Sequence, residues 1–341
     1  MKYVPVLRYR DSEKKVIESV ALSNKILPLI EVVQEKRRNN MKTTCFEEIK
    51  QFLRQSNTPV MIDFPLYIKI KSNTLPGVRN FITPLLANPV LRLDHFKKFI
   101  GHNIIPVVSY NPNTPFFTGS VSREINELRK SFKHLALRVF ISNAKDALAE
   151  ADGLLNPDDV IILDIDEAPH NSPAYKNFYP FIHALVTKHK CKSVLLRTVI
   201  GPDITYTGLK NNSVIPDLDN SHRDDHIKYN FHAFGDYCGI KKDLLTKGGI
   251  ASPGCIFYHW WNNSYYGHKG LLKQPQTFTS MVVKSLINSS EWNDYAIKSK
   301  KNHRSNCPGC YEIAKGNSGN AAPKWKTLMA SHYLYTMEEF L

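Results

Sequence analysis

The sequence predicts an α/β protein, a (β/α)8 TIM-like barrel with a C-terminal extension. Short apolar runs rich in Val and Ile recur eight times along the 341 residues. They lack the alternation of a sheet with one wet face, so they read as strands buried on both sides. Most of the gaps between them hold a helix-period segment, and repeated strand–helix alternation implies a closed parallel sheet.

The runs fall at residues 4–8, 27–31, 59–63, 104–109, 135–138, 160–164, 193–197 and 255–259. Asp11 or Ser12 can cap a first helix over 13–22, and residues 45–55 are amphipathic. Residues 66–79 carry few periodic signals and read as a loop. A helical pattern over 81–100 is broken at Pro84 and Pro89. Residues 143–155 read as a short Ala-rich helix, and 172–189 as the clearest helix, with a long apolar stripe. Between the seventh and eighth runs, a loop precedes a helix at about 224–234. A helix at 277–287 would close the barrel, and another covers 323–340. The expected organisation is a barrel over 1–290 with an insertion at about 202–250. A tail and helix over 291–341 pack on it.

The formal charge of +14 is the strongest compositional clue and favours a polyanionic partner. No run of about 18 apolar residues suggests a membrane span, and the chain enters its first strand without an apolar signal core. Six scattered cysteines suit a reducing compartment. The expectation is a cytoplasmic protein with no membrane partner.

In a barrel of this class, residues at the C-terminal strand ends converge on one face, where function resides. Arg8, Glu31, Asp63, Arg138, Asp164, Asp166, Arg197 and Asp236 stand at or just past those ends. Glu31, Asp63, Asp164, Asp166 and Asp236 are the candidates for acid/base work, or for holding Mg²⁺ or Mn²⁺ in a metal-dependent, nuclease-like hydrolase. Arg8, Arg138 and Arg197 would neutralise phosphate, with Tyr237 on a loop above them. The alternative is a salt-bridge network that closes the barrel top.

Loops after the last two strands offer Gly201, His268 and Lys269 for phosphate, and Trp260, Trp261, Tyr265 and Tyr266 for base stacking or simple packing. Cys307 and Cys310 form one C-x-x-C, flanked by His303 and His332, ligand types that suit a structural Zn²⁺. There is no G-x-S-x-G elbow, no Walker loop and no Rossmann glycine pattern.

The opening Tyr3-Val4-Pro5-Val6-Leu7-Arg8, followed by Ile26-Leu27-Pro28-Leu29-Ile30-Glu31, resembles the start of the beta protein family of phage and bacterial genomes. Ile162-Leu163-Asp164, Leu196-Arg197-Thr198, Phe234-Gly235-Asp236-Tyr237, and Trp325 with His332 fit the same resemblance. It implies a prokaryotic cytosolic setting and an anti-phage defence or phage-related role. It implies no catalytic mechanism. The functional expectation is a barrel that acts on or binds a nucleotide or nucleic acid in phage–host conflict. The alternative is a non-catalytic sensor or scaffold that binds nucleic acid or a partner defence or phage protein.

Overall fold

Eight parallel strands close on themselves in the computed structural model, which describes residues 1–341 apart from 39, 57, 245–251 and 317–320. The first seven, in order of pairing, are β1 (Tyr3–Arg8), β2 (Leu29–Glu31), β3 (Val60–Asp63), β4 (Ile104–Val108), β5 (Ala136–Phe140), β6 (Val160–Asp164) and β7 (Lys192–Leu196). A two-residue strand, β8 (Ser213–Val214), lies outside the barrel. Next, β9 (Ala233–Asp236) pairs with β7 on one side and returns to β1 on the other. Arg8 is registered beside Glu31, and Glu31 beside Asp63, so three charged strand ends lie level.

Seven barrel strands fall where the apolar runs predict them; the eighth does not. Residues 255–259 form part of β10 (Gly254–His259), which pairs antiparallel with β11 (Ser264–Lys269). With β8 these make a separate three-stranded sheet. The barrel is closed by β9, inside the stretch expected to be a helix and an insertion. Its sequence, Ala-Phe-Gly-Asp, is too short and too poor in β-branched residues to signal a strand. Gly235 is there because β1 comes close: a Cβ would lie 2.8 Å from the Val4 carbonyl oxygen. The last barrel strand therefore ends at Asp236 rather than at residue 259. The second sheet and the following helices form an appended lobe.

The helices largely follow the pattern. Thr44 and Glu47 cap the helix Cys45–Gln55 reciprocally, through bonds of 2.6 and 3.3 Å. The expected helix over 172–189 is split into Pro173–Lys176 and Tyr179–His189, with Pro180 in the second's first turn, where its missing N–H costs little. Residues 76–79, expected as loop, begin the helix Pro76–Ala87. The final helix, Ala322–Phe340, packs against Asp11–Ser19 on the barrel wall. No helix among the described residues is long and apolar enough to cross a membrane.

Strand alternation sorts the side chains. Val4, Val6, Leu29, Met61, Val107, Ala136, Ile162, Val194 and Leu196 fill the barrel interior, while a larger core lies between strands and helices.

Buried histidines make this packing acid-sensitive. Burial pushes His222 down to about 3 and His268 down to about 4, and neither ring is exposed. Their folded pKa values lie below the unfolded value, so their contribution is present above pH 6.5 and lost as pH falls toward 4. The loss approaches about 1.4 kcal/mol per pH unit for each group. In urea titrations between pH 7.5 and 5, His222→Gln should show a shallower decline than wild type. Equal slopes would refute the assignment.

Candidate anion-binding site at the barrel mouth

The alternation that sends apolar side chains inward also aims Arg8, Glu31, Asp63, Arg138 and Asp164 into the mouth, one turn of the pleat above the core. Arg138 lies at the centre and is fully buried. Its guanidinium donates to Glu31 (2.7 Å), Asp63 (3.0 Å), Asp164 (2.6 and 3.1 Å) and the Tyr237 hydroxyl (3.1 Å). That engages the whole donor fork. The Tyr67 ring lies 4.7 Å from it.

Each acid has a second source of compensation. Glu31 accepts from Arg8 (3.0 Å) and from the Tyr67 hydroxyl (2.5 Å). Asp63 meets Arg92 at 3.2 Å, and Arg92 also donates to Glu124 (2.8 Å). Asp164 accepts the backbone N–H of Asp166 at 2.9 Å. Burial opposes the charge on Glu31, but Arg138 and Arg8 outweigh it and lower its pKa to about 2. For Asp63 burial wins over Arg138 and Arg92, and its pKa is raised. The difference follows from Arg8 and Tyr67, which serve Glu31 alone.

This arrangement bears on the expected Mg²⁺ or Mn²⁺ site. Glu31, Asp63 and Asp164 each accept from at least one guanidinium group, so a divalent ion at these oxygens would compete with Arg138, Arg8 and Arg92. These three acids form the floor of the mouth and lie away from solvent.

A cleft of about 560 Å³ opens above that floor. Five basic residues line it, Arg8, Lys69, Lys71, Lys241 and Lys242, against the carboxylates of Asp166, Glu167 and Asp243. Asp243 is already paired with Arg10 (3.1 Å) and Lys326 (2.6 Å). Lys242 donates to Asp166 at 2.7 Å and lies over the rings of Tyr67 and Tyr237. Burial works against its charge, but Tyr67, Asp164 and Asp166 hold its pKa above the ordinary value. Lys241 donates to the Ile204 carbonyl at 2.7 Å. Lys69 and Lys71 are exposed and form no ion pair among the described residues.

Asp166 adopts φ +51°, uncommon for a residue with a side chain, and Thr198 holds its carboxylate at 3.0 Å. Burial opposes ionisation, but Lys242 and Thr198 lower its pKa. Burial, with Asp166 and Asp203 nearby, raises that of Glu167. Gly201 faces Glu167: a Cβ there would overlap its carboxylate.

Several predicted residues lie elsewhere. Arg197 points out of the barrel, donating to the Ala168 carbonyl (3.0 Å) and to Asp219 (2.9 Å). Asp236 also points outward, accepting from Tyr3 (2.7 Å) and from Tyr333. His268 and Lys269 belong to β11, away from the mouth; His268 is buried against Ser285. Trp260 stacks on Phe340 at 5.3 Å, and Tyr265 is buried, so that aromatic loop is packed within the appended lobe. His303, Cys307, Cys310 and His332 do converge. Tyr67, Arg92, Lys69, Lys71, Lys241 and Lys242 escape sequence reasoning. Tyr67, Lys69 and Lys71 come from the loop after β3 and Lys241 and Lys242 from the segment after β9, which carry no periodic signal; Arg92 lies on the helix Leu91–Lys97, whose pattern gives the helix but not where this side chain reaches.

Compared with known families, residues 3–338 match the model of the Beta protein family. The chain belongs to the Beta protein family. The match runs through every barrel strand and the appended lobe, including all residues of the mouth. No curated protein matches the chain. Among solved structures, a family 18 chitinase from Crocus vernus aligns at 14% identity with a TM-score of 0.37, over 69% of this chain and 92% of that one. At that distance the barrel is read from its own strand pairing, not from the chitinase.

Proposed function

We propose that this Beta protein family member binds a phosphate-bearing ligand, a nucleotide or a nucleic-acid strand, in the cleft above the barrel mouth. The observation that carries this reading is the cleft's charge: five basic side chains against three carboxylates, with Lys69, Lys71 and Lys241 free of carboxylate partners among the described residues. Tyr67 and Phe140 line the same cleft, where the Tyr67 ring lies beneath Lys242 and helps to hold that cation in place. The overall charge of +14 would draw such ligands in. A role in phage–host conflict rests on the resemblance described above. A partner defence or phage protein would fit that setting.

A catalytic version of this reading centres on Asp166 and Glu167, because they are the carboxylates of the cleft not held in the Arg138 floor or by Arg10 and Lys326. Their pKa values are driven apart, Asp166 down and Glu167 up, the pattern of a base beside an acid. Hydrolysis of the bound ligand, lost in Asp166→Asn with binding retained, would distinguish this from a sensor or scaffold.

Binding is tested by titrating the protein with a labelled single-stranded DNA, an RNA of the same length and ATP across a range of salt. Each phosphate contact contributes about 0.7 to 0.9 to the slope of log K against log salt. The double variant Lys69→Ala/Lys71→Ala should lower that slope by up to about 2 and weaken binding at least tenfold, without changing the melting temperature. Unchanged affinity and slope would sink the cleft as the binding site.

A further inference from the structure

The four residues His303, Cys307, Cys310 and His332 lie in the appended lobe, remote from the mouth, and are all buried. They offer two imidazole nitrogens and two thiols whose ligand atoms all lie within 4.8 Å of one another. His303 Nε2 and His332 Nδ1 are 3.2 Å apart. His332 Nδ1 is 3.3 Å from the Cys310 sulfur and 3.9 Å from that of Cys307. A tetrahedral zinc ion with ordinary Zn–N and Zn–S bonds has ligand–ligand edges of about 3.3 to 3.8 Å. The three distances from His332 Nδ1 match that size, and the widest pair, within 4.8 Å, would draw in by up to about 1 Å around an ion.

The far sides of both rings are already fixed. His303 Nδ1 meets Glu339 Oε2 at 2.6 Å, the carboxylate–histidine pairing that orients a metal-bound imidazole. His332 Nε2 meets the Tyr258 carbonyl at 2.9 Å, which fixes a tautomer with its Nδ1 lone pair directed at the cluster. The imidazole of His332 stacks on Phe257 at 4.3 Å. Gly309, inside the C-x-x-C, shows how closely the turn approaches: a Cβ would overlap the Leu328 carbonyl. That contact brings both sulfurs against the final helix. A redox dithiol of the thioredoxin kind needs a sulfur that a partner can reach; here both are fully buried.

We infer that His303, Cys307, Cys310 and His332 bind one Zn²⁺ ion, which fastens the final helix Ala322–Phe340 to the preceding short helices and, through Tyr258, to the second sheet. Four protein ligands leave no open position, so the site is structural. It is independent of the proposed cleft, and its failure would leave that reading untouched.

The full-length protein, expressed with zinc and purified without chelator, should carry one zinc per chain by elemental analysis. Replacement with Co²⁺ should give the strong visible absorption and near-ultraviolet thiolate charge-transfer band of a tetrahedral site. A strong zinc chelator should lower the melting temperature, and added Zn²⁺, but not Mg²⁺, should restore it. Cys310→Ser should reduce bound zinc at least tenfold. Glu339→Gln should retain the ligands but weaken zinc affinity by about ten- to a hundredfold. Less than roughly a tenth of an equivalent in the wild-type protein after dialysis against Zn²⁺ would overturn the proposal. So would iron in place of zinc, or full zinc retention by Cys307→Ser/Cys310→Ser.

Discussion

Replacing Arg138 by methionine should destabilise the protein by about 3–5 kcal/mol at pH 7, read as a fall in the urea midpoint at constant slope. The guanidinium touches Glu31, Asp63 and Asp164, all essentially without solvent contact. Removing it leaves Glu31 with Arg8 and the tyrosine hydroxyls, Asp63 with Arg92, and Asp164 with the Asp166 backbone N–H. Arg138→Lys should recover a small part, because an ammonium ion cannot span all three acids. The pH dependence has a definite sign. Glu31 has a folded pKa near 2, below its unfolded value of 4.5, so its stabilisation is complete above 4.5 and lost as pH falls toward 2. The gap between wild type and Arg138→Met should therefore narrow in that window. A triple variant, Arg138→Met with Glu31→Gln and Asp63→Asn, should be more stable than Arg138→Met alone. A single-variant cost below about 1 kcal/mol would show that these charges are not held as described.

Asp236→Ala should cost about 3–5 kcal/mol and loosen the final helix. Its carboxylate accepts from Tyr3 (2.7 Å), from Tyr333 and from the Cys238 N–H (2.7 Å), joining β9, the first residue of β1 and the helix Ala322–Phe340. Alanine would leave two buried hydroxyls and an N–H without their acceptor, each costing about 1–3 kcal/mol. Asp236→Asn preserves one acceptor oxygen and should cost less than half as much. Hydrogen exchange provides the decisive readout. Protection should fall in residues 322–340 before it falls in β3 to β6. Uniform loss across the molecule would show that Asp236 does not act as the local tie between helix and barrel.

These variants separate two kinds of strand-end acid that look alike in sequence. Asp164 and Asp236 both follow an apolar phrase and both end a barrel strand. Parity distinguishes them. Asp164 follows the inward-facing Val160 and Ile162 by steps of two, whereas the inward series of β9 runs through Ala233 and Tyr237, placing Asp236 outside. Arg197 is excluded from the mouth for the same reason, since Leu196 is the inward residue. Counting along the strands would have revealed this for β7. It could not have done so for β9, whose strand character is hidden by Gly235.

The sequence by itself determined the barrel class, seven of its strands and the charged character of its mouth. Buried parallel strands need continuous apolar runs, and polar residues end them, so the signal is local and written in consecutive residues. It also marked the four zinc-ligand candidates by type and spacing. Only the tertiary structure decided which strand closes the barrel, because a close approach between β1 and β9 selects glycine over a β-branched residue. It also decided that Arg138 satisfies three acids from three different strands, and that Lys69, Lys71 and Lys242 gather above them from loops far apart in the chain. Strand parity can say which side chains face inward, but which of them meet, and which loop residues join them, is settled only when the chain has closed on itself.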